Sequence, residues 1–265
     1  MEKMDIHIVG LGNLGSAFLK GLKGLNVNNN IYLYDSSKDV KQSIEKNYSL
    51  TVDDSLSEIT QGVLLLCIKP QSINKFFDDY KKNIAKDVLI CTPVAGLEIK
   101  TIEKYLRNNI LRIMPNLLIQ DKTGFIPFSS NYEEDYLSFI QNILGNLGNV
   151  KEIDESMFPV ITALSGSGPA WFYELSNQLV NSGTELGLRP EDSELIVKEL
   201  VKALPSLIHD DETFKNLVNK VKSPGGTTEA GLNSLKDASF DKIIFEAIQE
   251  ATQRSTQISI ELSDE

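Results

Sequence analysis

Two cysteines, two histidines and one tryptophan are all that this 265-residue chain carries of those types. Cys67 and Cys91 lie in apolar runs without Cys-x-x-Cys spacing, which excludes a disulfide framework and leaves them as small buried hydrophobes. His7 and His209 cannot by themselves complete a zinc site, so no metal is expected. Positive charge is also scarce: 26 Lys and Arg stand against 37 Asp and Glu, a net charge of −11. That balance argues against nucleic acid or an anionic membrane as a partner, since both need a basic patch. The acidic clusters, Glu133 to Asp135 and Asp210 to Glu212, are too short to be tails. No run approaches the ~20 apolar residues of a membrane span. The opening MEKMDIHIVG carries too short an apolar stretch for a signal peptide, so a cytoplasmic protein is expected. Repeats, low-complexity stretches and Ser/Gly-rich linkers are missing too, which favours two closely packed domains.

What is present divides into two halves. Up to residue 153, short runs rich in Val, Ile and Leu alternate with amphipathic stretches. The runs are Ile6 to Val9, Ile31 to Tyr34, Val63 to Ile68, Val88 to Cys91 and Ile110 to Ile113. Continuous apolar runs mark strands buried on both faces, and helical patterns such as Asn13 to Leu25 and Gln71 to Asn83 lie between them. The expectation for 1–153 is an α/β, Rossmann-like, doubly wound and mostly parallel sheet. From 154 to 265 the strand signal fades. Glu155 to Leu164, Ala170 to Leu186, Pro190 to Ile208 and Phe240 to Ile260 carry helical spacing, with Pro190 in a first turn and Pro205 at a kink or break. An all-α second domain is expected there.

The first apolar run leads into GLGNLG, in which Gly10, Gly12 and Gly15 form G-x-G-x-x-G. The first glycine permits the tight turn, the second admits a pyrophosphate, and the third lets the helix pack on the strand. Amides at that helix start then face the phosphates. Asp35 stands twenty positions after Gly15 at the end of the second strand, where a carboxylate accepts from a ribose 2′-hydroxyl. Ser36, Ser37 and Lys38 follow it and could hold a 2′-phosphate instead. The expected cofactor is NADH or NADPH, with a lean to NADH.

Two further segments are placed at carboxyl ends of strands, where open α/β sheets bind ligands. CIKPQ (Cys67 to Gln71) is expected to end the fourth strand, and TPVAG (Thr92 to Gly96) to follow the fifth. Lys69 reads either as a surface lysine or as part of a functional loop fixed by Pro70. In the second half, SGSGPAW (Ser165 to Trp171) precedes a helix, and its small residues suit either tight packing or exposed amides. SPGGTTEAGL (Ser223 to Leu232) holds the only Gly-Gly pair. A turn accounts for Pro224, Gly225 and Gly226 but not for the hydroxyls of Thr227 and Thr228.

In order along the chain, GxGxxG, IKP, RIMPN (Arg112 to Asn116), SGSGPAW and SPGGTT resemble the pyrroline-5-carboxylate reductases over essentially the whole length. The resemblance implies a Rossmann domain and a helical domain through which subunits pair as homodimers, often assembling further. It implies hydride transfer from NAD(P)H to the C=N of 1-pyrroline-5-carboxylate, giving L-proline. Leu11, Gly12, Asn13, Leu14, Ser36, Ile68, Lys69, Pro70 and Ala95 would contact cofactor. Ser223, Gly225, Gly226, Thr227 and Thr228 would hold substrate, with Thr228 as the catalytic hydroxyl near the imine nitrogen. Glu155 falls where the family places a substrate contact. The chain departs from the family at Leu117 and Leu118, where Thr-Pro is usual, and at Lys220, Asp54 and Trp171.

Chemistry agrees with an imine rather than an alcohol substrate. Carbonyl reduction needs a strong proton donor. His7 sits inside a strand, His209 lies beside two aspartates, and Phe172 occupies the position where related 3-hydroxyacid dehydrogenases carry a Lys. A cyclic imine can enter already protonated, so one well-placed hydroxyl suffices. The alternatives are a related reductase or dehydrogenase for another small carboxylate, and a non-catalytic dinucleotide-binding regulator.

Overall fold

The computed structural model of the protein describes residues 4–23, 30–132, 137–209 and 211–264. The cluster Glu133 to Asp135, Asp210, and the end of the helix expected to reach Leu25 lie outside the described residues. Two compact units emerge: Met1–Gly166 with Gln249–Glu265, and Ser167–Ile248. They do not part where the sequence changes character after residue 153. The segment from Glu155 to Gly166 stays with the sheet, and so does the end of the last helix, whose Ile258 and Leu262 pack into the sheet's core.

The first unit is a seven-stranded sheet in the order β2-β1-β3-β4-β5-β6-β7. Its strands are β1 (Asp5–Val9), β2 (Asn30–Tyr34), β3 (Val63–Leu66), β4 (Leu89–Thr92), β5 (Ile110–Ile113), β6 (Gly124–Ser130) and β7 (Gly148–Glu152). The first five run parallel; β6 is antiparallel to β5, and β7 is parallel to β6. CIKPQ and TPVAG therefore follow the third and fourth strands, not the fourth and fifth. Between β2 and β3 the chain makes two isolated bridges, Tyr34 to Asp53 and Ile59 to Ile84, and builds no extra strand. β6 was not expected, because Pro127 in its middle removes a donor and reads against an inner strand.

Consecutive strand residues belong to different cores, the mark of burial on both faces. Val63 and Leu65 join Phe18 of α1 (Asn13–Lys23) and Ile44 of α2 (Lys38–Tyr48). Leu64 and Leu66 join Phe77 of α3 (Ile73–Tyr80) and Ile102 of α4 (Ile99–Ile102). Two shorter helices, α5 (Leu137–Asn142) and α6 (Phe158–Ile161), and a π-helical turn over Thr162–Gly166 also belong to this unit.

His7 is buried within β1, stacked on Tyr32 at 4.6 Å between ring centres, with Nδ1 3.2 Å from the Tyr34 hydroxyl. Burial pushes its pKa below the ordinary 6.5, partly opposed by the nearby Asp5 carboxylate. A depressed folded value means that the unfolded chain protonates first as the pH falls. His7 thus adds stability above pH 6.5 that is lost below it. Urea midpoints measured between pH 7.5 and 5 should fall, and His7→Phe should flatten that part of the profile.

The second unit is helical: α7 (Gly168–Glu185), α8 (Pro190–Ala203), α9 (Phe214–Val221), α10 (Thr227–Asp237) and the start of α11 (Phe240–Asp264). Pro190 opens α8, and Pro205 lies where α8 gives way to a 3-10 turn, Leu204–Leu207. α7 and α8 meet at Gly183, where an added Cβ would come within 2.4 Å of the Ser193 hydroxyl, and that hydroxyl donates to Val180 O at 2.7 Å. Large apolar side chains are exposed along this unit, among them Phe172 at 66%, Leu186 at 88% and Phe214 at 71%. Among the described residues no helix is long and apolar enough to cross a membrane.

Candidate active site

The glycines of GLGNLG sit at the carboxyl end of β1. Gly10 has φ +88°, and a Cβ there would lie 2.6 Å from Cys67 O. At Gly15 a Cβ would fall 1.9 Å from Gly10 O, so the helix start could not close on the strand. Gly12 differs: it is exposed, and nothing of the protein lies within 4 Å of where its Cβ would be. Two glycines are thus required by the fold and one leaves a free approach to the first amides of α1. Asn13 is exposed, and Leu14 is half-buried against the core.

Asp35 is tied to this cradle. Its Oδ2 accepts from Leu11 N at 2.7 Å and its Oδ1 from Ser37 N at 2.8 Å. The carboxylate is thereby pinned beside the Gly-rich turn with lone pairs to spare, while Ser36 and Lys38 remain exposed. Asp54 is engaged by Lys41 at 2.5 Å. Ile68 is half-buried, Lys69 is extended and exposed, and Pro70 opens a 3-10 turn at the carboxyl end of β3. Ala95 occupies the second place of a tight turn closed by Leu97 N to Val94 O, 3.2 Å, with Gly96 at φ +77° as a type II turn demands.

In the second unit, Ser223 to Gly226 form a turn closed by Gly226 N to Ser223 O, 3.0 Å, with Gly225 at φ +68°. Gly225 N donates to Glu229 Oε2 at 2.8 Å, which holds that carboxyl below its usual range, with Lys222 adding to the effect. The amides of the two glycines are therefore already paired. The first intrahelical bond of α10 runs from Ala230 N to Gly226 O, so the amides of Thr227, Thr228 and Glu229 precede the ladder. Thr227 is exposed and Thr228 half-buried. Lys220 pairs with Glu212.

SGSGPAW resolves into two parts. Ser165 and Gly166 end the π-helical turn, and Ser165 O accepts from Asn116 Nδ2 at 3.1 Å. Gly168 and Pro169 open α7, whose N-cap Ser167 makes no side-chain cap. Leu117 and Leu118 are exposed just after Asn116.

Glu155 belongs to the sheet unit. Its Oε1 accepts from Arg112 Nη1 at 2.8 Å and from Ile99 N at 2.8 Å. Arg112 lies in β5 with its side chain 2% exposed, 4.6 Å above the Phe158 ring. Neither Arg112 nor Ile99 was singled out from the sequence as a site residue. The available signal was an arginine inside the otherwise apolar run Ile110 to Ile113, which a buried strand tolerates only when the charge is paired.

Comparison with known proteins agrees with this geometry. Residues 155–258 match the family described as pyrroline-5-carboxylate reductase dimerisation, and residues 5–96 one described as NADP oxidoreductase, coenzyme F420-dependent. The chain is 32% identical to pyrroline-5-carboxylate reductase of Staphylococcus aureus, over 98% of each protein. It is 28% identical to pyrroline-5-carboxylate reductase 2 of Bacillus subtilis, over 92% of this chain and 91% of that one. Among solved structures, it resembles Plasmodium falciparum pyrroline carboxylate reductase with NADP bound, at TM-score 0.83 and 26% identity, covering 97% of this chain and 100% of the other. The Streptococcus pyogenes 1-pyrroline-5-carboxylate reductase is similar at TM-score 0.82 and 25% identity, over 96% and 99%. With its Gly-rich cradle and the Ser223 to Thr228 turn in place, the chain belongs to the pyrroline-5-carboxylate reductase family.

Proposed function

We infer that the protein reduces 1-pyrroline-5-carboxylate to L-proline with a nicotinamide dinucleotide, and that the near full-length match to the Staphylococcus aureus reductase carries this reading. The residues fit such a cofactor: Gly12 leaves open space where the pyrophosphate would approach, and α1 presents its N-terminus there. Bound and reduced, the dinucleotide supplies the hydride. Gly10 to Gly15 and Asp35 hold its adenosine and phosphate half; Ile68, Lys69, Pro70 and Ala95 hold the nicotinamide half. In the second unit, the amides opening α10 receive the substrate carboxylate, helped by the helix dipole. The Thr228 hydroxyl orients the N–H of the ring nitrogen. No strong acid is required, because the imine is electrophilic once protonated. The many exposed apolar side chains of the helical unit, within the segment that matches the dimerisation family, fit a homodimer interface. A cytoplasmic location accords with this function.

Oxidation of NADPH or NADH on addition of pyrroline-5-carboxylate is the direct test, and the absence of turnover with both would refute the assignment. Gly12→Ala separates ligand from fold. Its methyl meets nothing in the protein, so thermal stability should hold while dinucleotide affinity falls at least about tenfold, as read by fluorescence titration. A loss of stability equal to the loss of binding would contradict this.

Asp35 sets the cofactor preference toward NADH, through a fixed negative charge beside the ribose. Asp35→Asn keeps an acceptor for Leu11 N and removes the charge. The ratio of kcat/KM for NADPH over NADH should rise about tenfold, the effect of roughly one unit charge acting across a partly exposed site. An unchanged ratio would assign the choice to Ser36 and Lys38.

A further inference from the structure

The turn that presents Ala95 is anchored at both ends by groups distant in sequence. Before it, the Thr92 hydroxyl accepts from Val94 N at 3.3 Å and donates to Leu66 O at 3.4 Å. After it comes α4, a single turn whose N-cap residue Glu98 makes no side-chain cap and is drawn to Lys100 at 2.6 Å. The first amide of α4, Ile99 N, is capped instead by Glu155, 56 residues away. The same Oε1 takes the Arg112 guanidinium, and β5 holds that side chain under Phe158. On its remaining side the turn is closed by α11: a Cβ on Gly96 would meet Ile258 Cγ2 at 2.5 Å and Ser259 N at 2.9 Å.

We propose that Glu155, held by Arg112, is a positioning residue that fixes the Val94–Leu97 turn, and with it Ala95, through the Ile99 N–H. This rests on the reading of Ala95 as a nicotinamide-end contact. It replaces the substrate contact that resemblance assigns to Glu155, whose shared oxygen already serves two donors within the sheet unit. A carboxylate suits the task for a reason of charge. It caps the helix start while neutralising a cation that β5 cannot expose to water. The nicotinamide half of the site is thus tied to β5, whereas the phosphate half rests on β1, α1 and the Asp35 carboxylate that follows β2.

Two double variants isolate the Ile99 cap. Arg112→Met with Glu155→Gln removes both charges and keeps an acceptor; Arg112→Met with Glu155→Leu removes the acceptor as well. Each is titrated with NADPH and with 2′-phospho-ADP-ribose, which lacks nicotinamide. The expected result is that the Gln pair retains the parent's ratio of the two affinities. The Leu pair should lose about tenfold in NADPH affinity alone, the size of one hydrogen bond. Ile99→Pro provides an independent route: Glu98 is already extended and proline suits a first helical position, so only the donor and part of the side chain are lost. It should shift the ratio in the same direction. Equal ratios in all the variants would overturn the proposal, as would a raised KM for pyrroline-5-carboxylate with both dissociation constants unchanged. A fall in melting temperature without a change of ratio would leave Glu155 a purely structural residue and overturn it too. If the parent itself bound no dinucleotide, the functional reading would fail first, and this inference with it.

Discussion

Thr228→Ala is expected to lower kcat by roughly a hundredfold to a thousandfold. Removing one preorganised donor from a site that stabilises developing charge typically costs ~2.7–4 kcal/mol in the transition state. The substitution should not harm the fold. Thr228 lies in the first turn of α10, makes no cap that the helix depends on, and alanine favours a helix more than threonine does. Dinucleotide affinity should stay within about twofold, a difference of less than ~0.5 kcal/mol, because Gly10 to Gly15 and Asp35 belong to the sheet unit. Single-turnover rates at saturating cofactor and imine are the relevant measurement. Thr228→Ser should recover most of the rate, since it restores the hydroxyl. A parent-like rate in the alanine variant would remove Thr228 from the chemistry and leave the α10 amides as substrate contacts only.

Glu155→Ala is expected to have the largest effect on stability, a loss of about 3–5 kcal/mol. The guanidinium of Arg112 is almost wholly buried, and its Nε already lacks a hydrogen-bond partner. Among the described residues its one charge partner is Glu155, so removing the carboxylate leaves a cation stranded in the interior. Exposed ion pairs of the helical unit, such as Arg189 with Asp192, offer a control: breaking that pair should cost less than about 1 kcal/mol. Urea denaturation of the two variants side by side gives the comparison. Adding Arg112→Met to Glu155→Ala should recover much of the lost stability, because replacing a buried charge with an apolar chain of similar length removes the desolvation penalty. Failure of that rescue would mean that the lost Ile99 cap, and not the stranded charge, dominates.

These expectations differ in how far the sequence alone could have reached them. GLGNLG with Asp35 twenty residues on was legible because backbone sterics leave few residues able to make that turn. The glycine positions that the fold requires are the ones read from the pattern. SPGGTT was legible for a similar reason, although its two glycine amides prove to be paired within the chain, with Ser223 and Glu229. β6 was hidden by Pro127, and Val63 to Ile68, the third apolar run, makes the third strand of the sheet, not the fourth. CIKPQ and TPVAG still lie at carboxyl ends of parallel strands, those of β3 and β4.

Local patterns determined the alternation of strands and helices, the phosphate cradle and the helical character of the second half. All of these follow from periodicity or from residues close together in the chain, whereas the resemblance to the reductase family rests on the order of five motifs along the chain's whole length. Tertiary structure decided the partners of Glu155 and Arg112 and the assignment of the end of α11 to the sheet unit. Each depends on contacts across tens to hundreds of residues. Short-range pattern does not encode which buried charge meets which, or which backbone passes close enough to forbid a side chain.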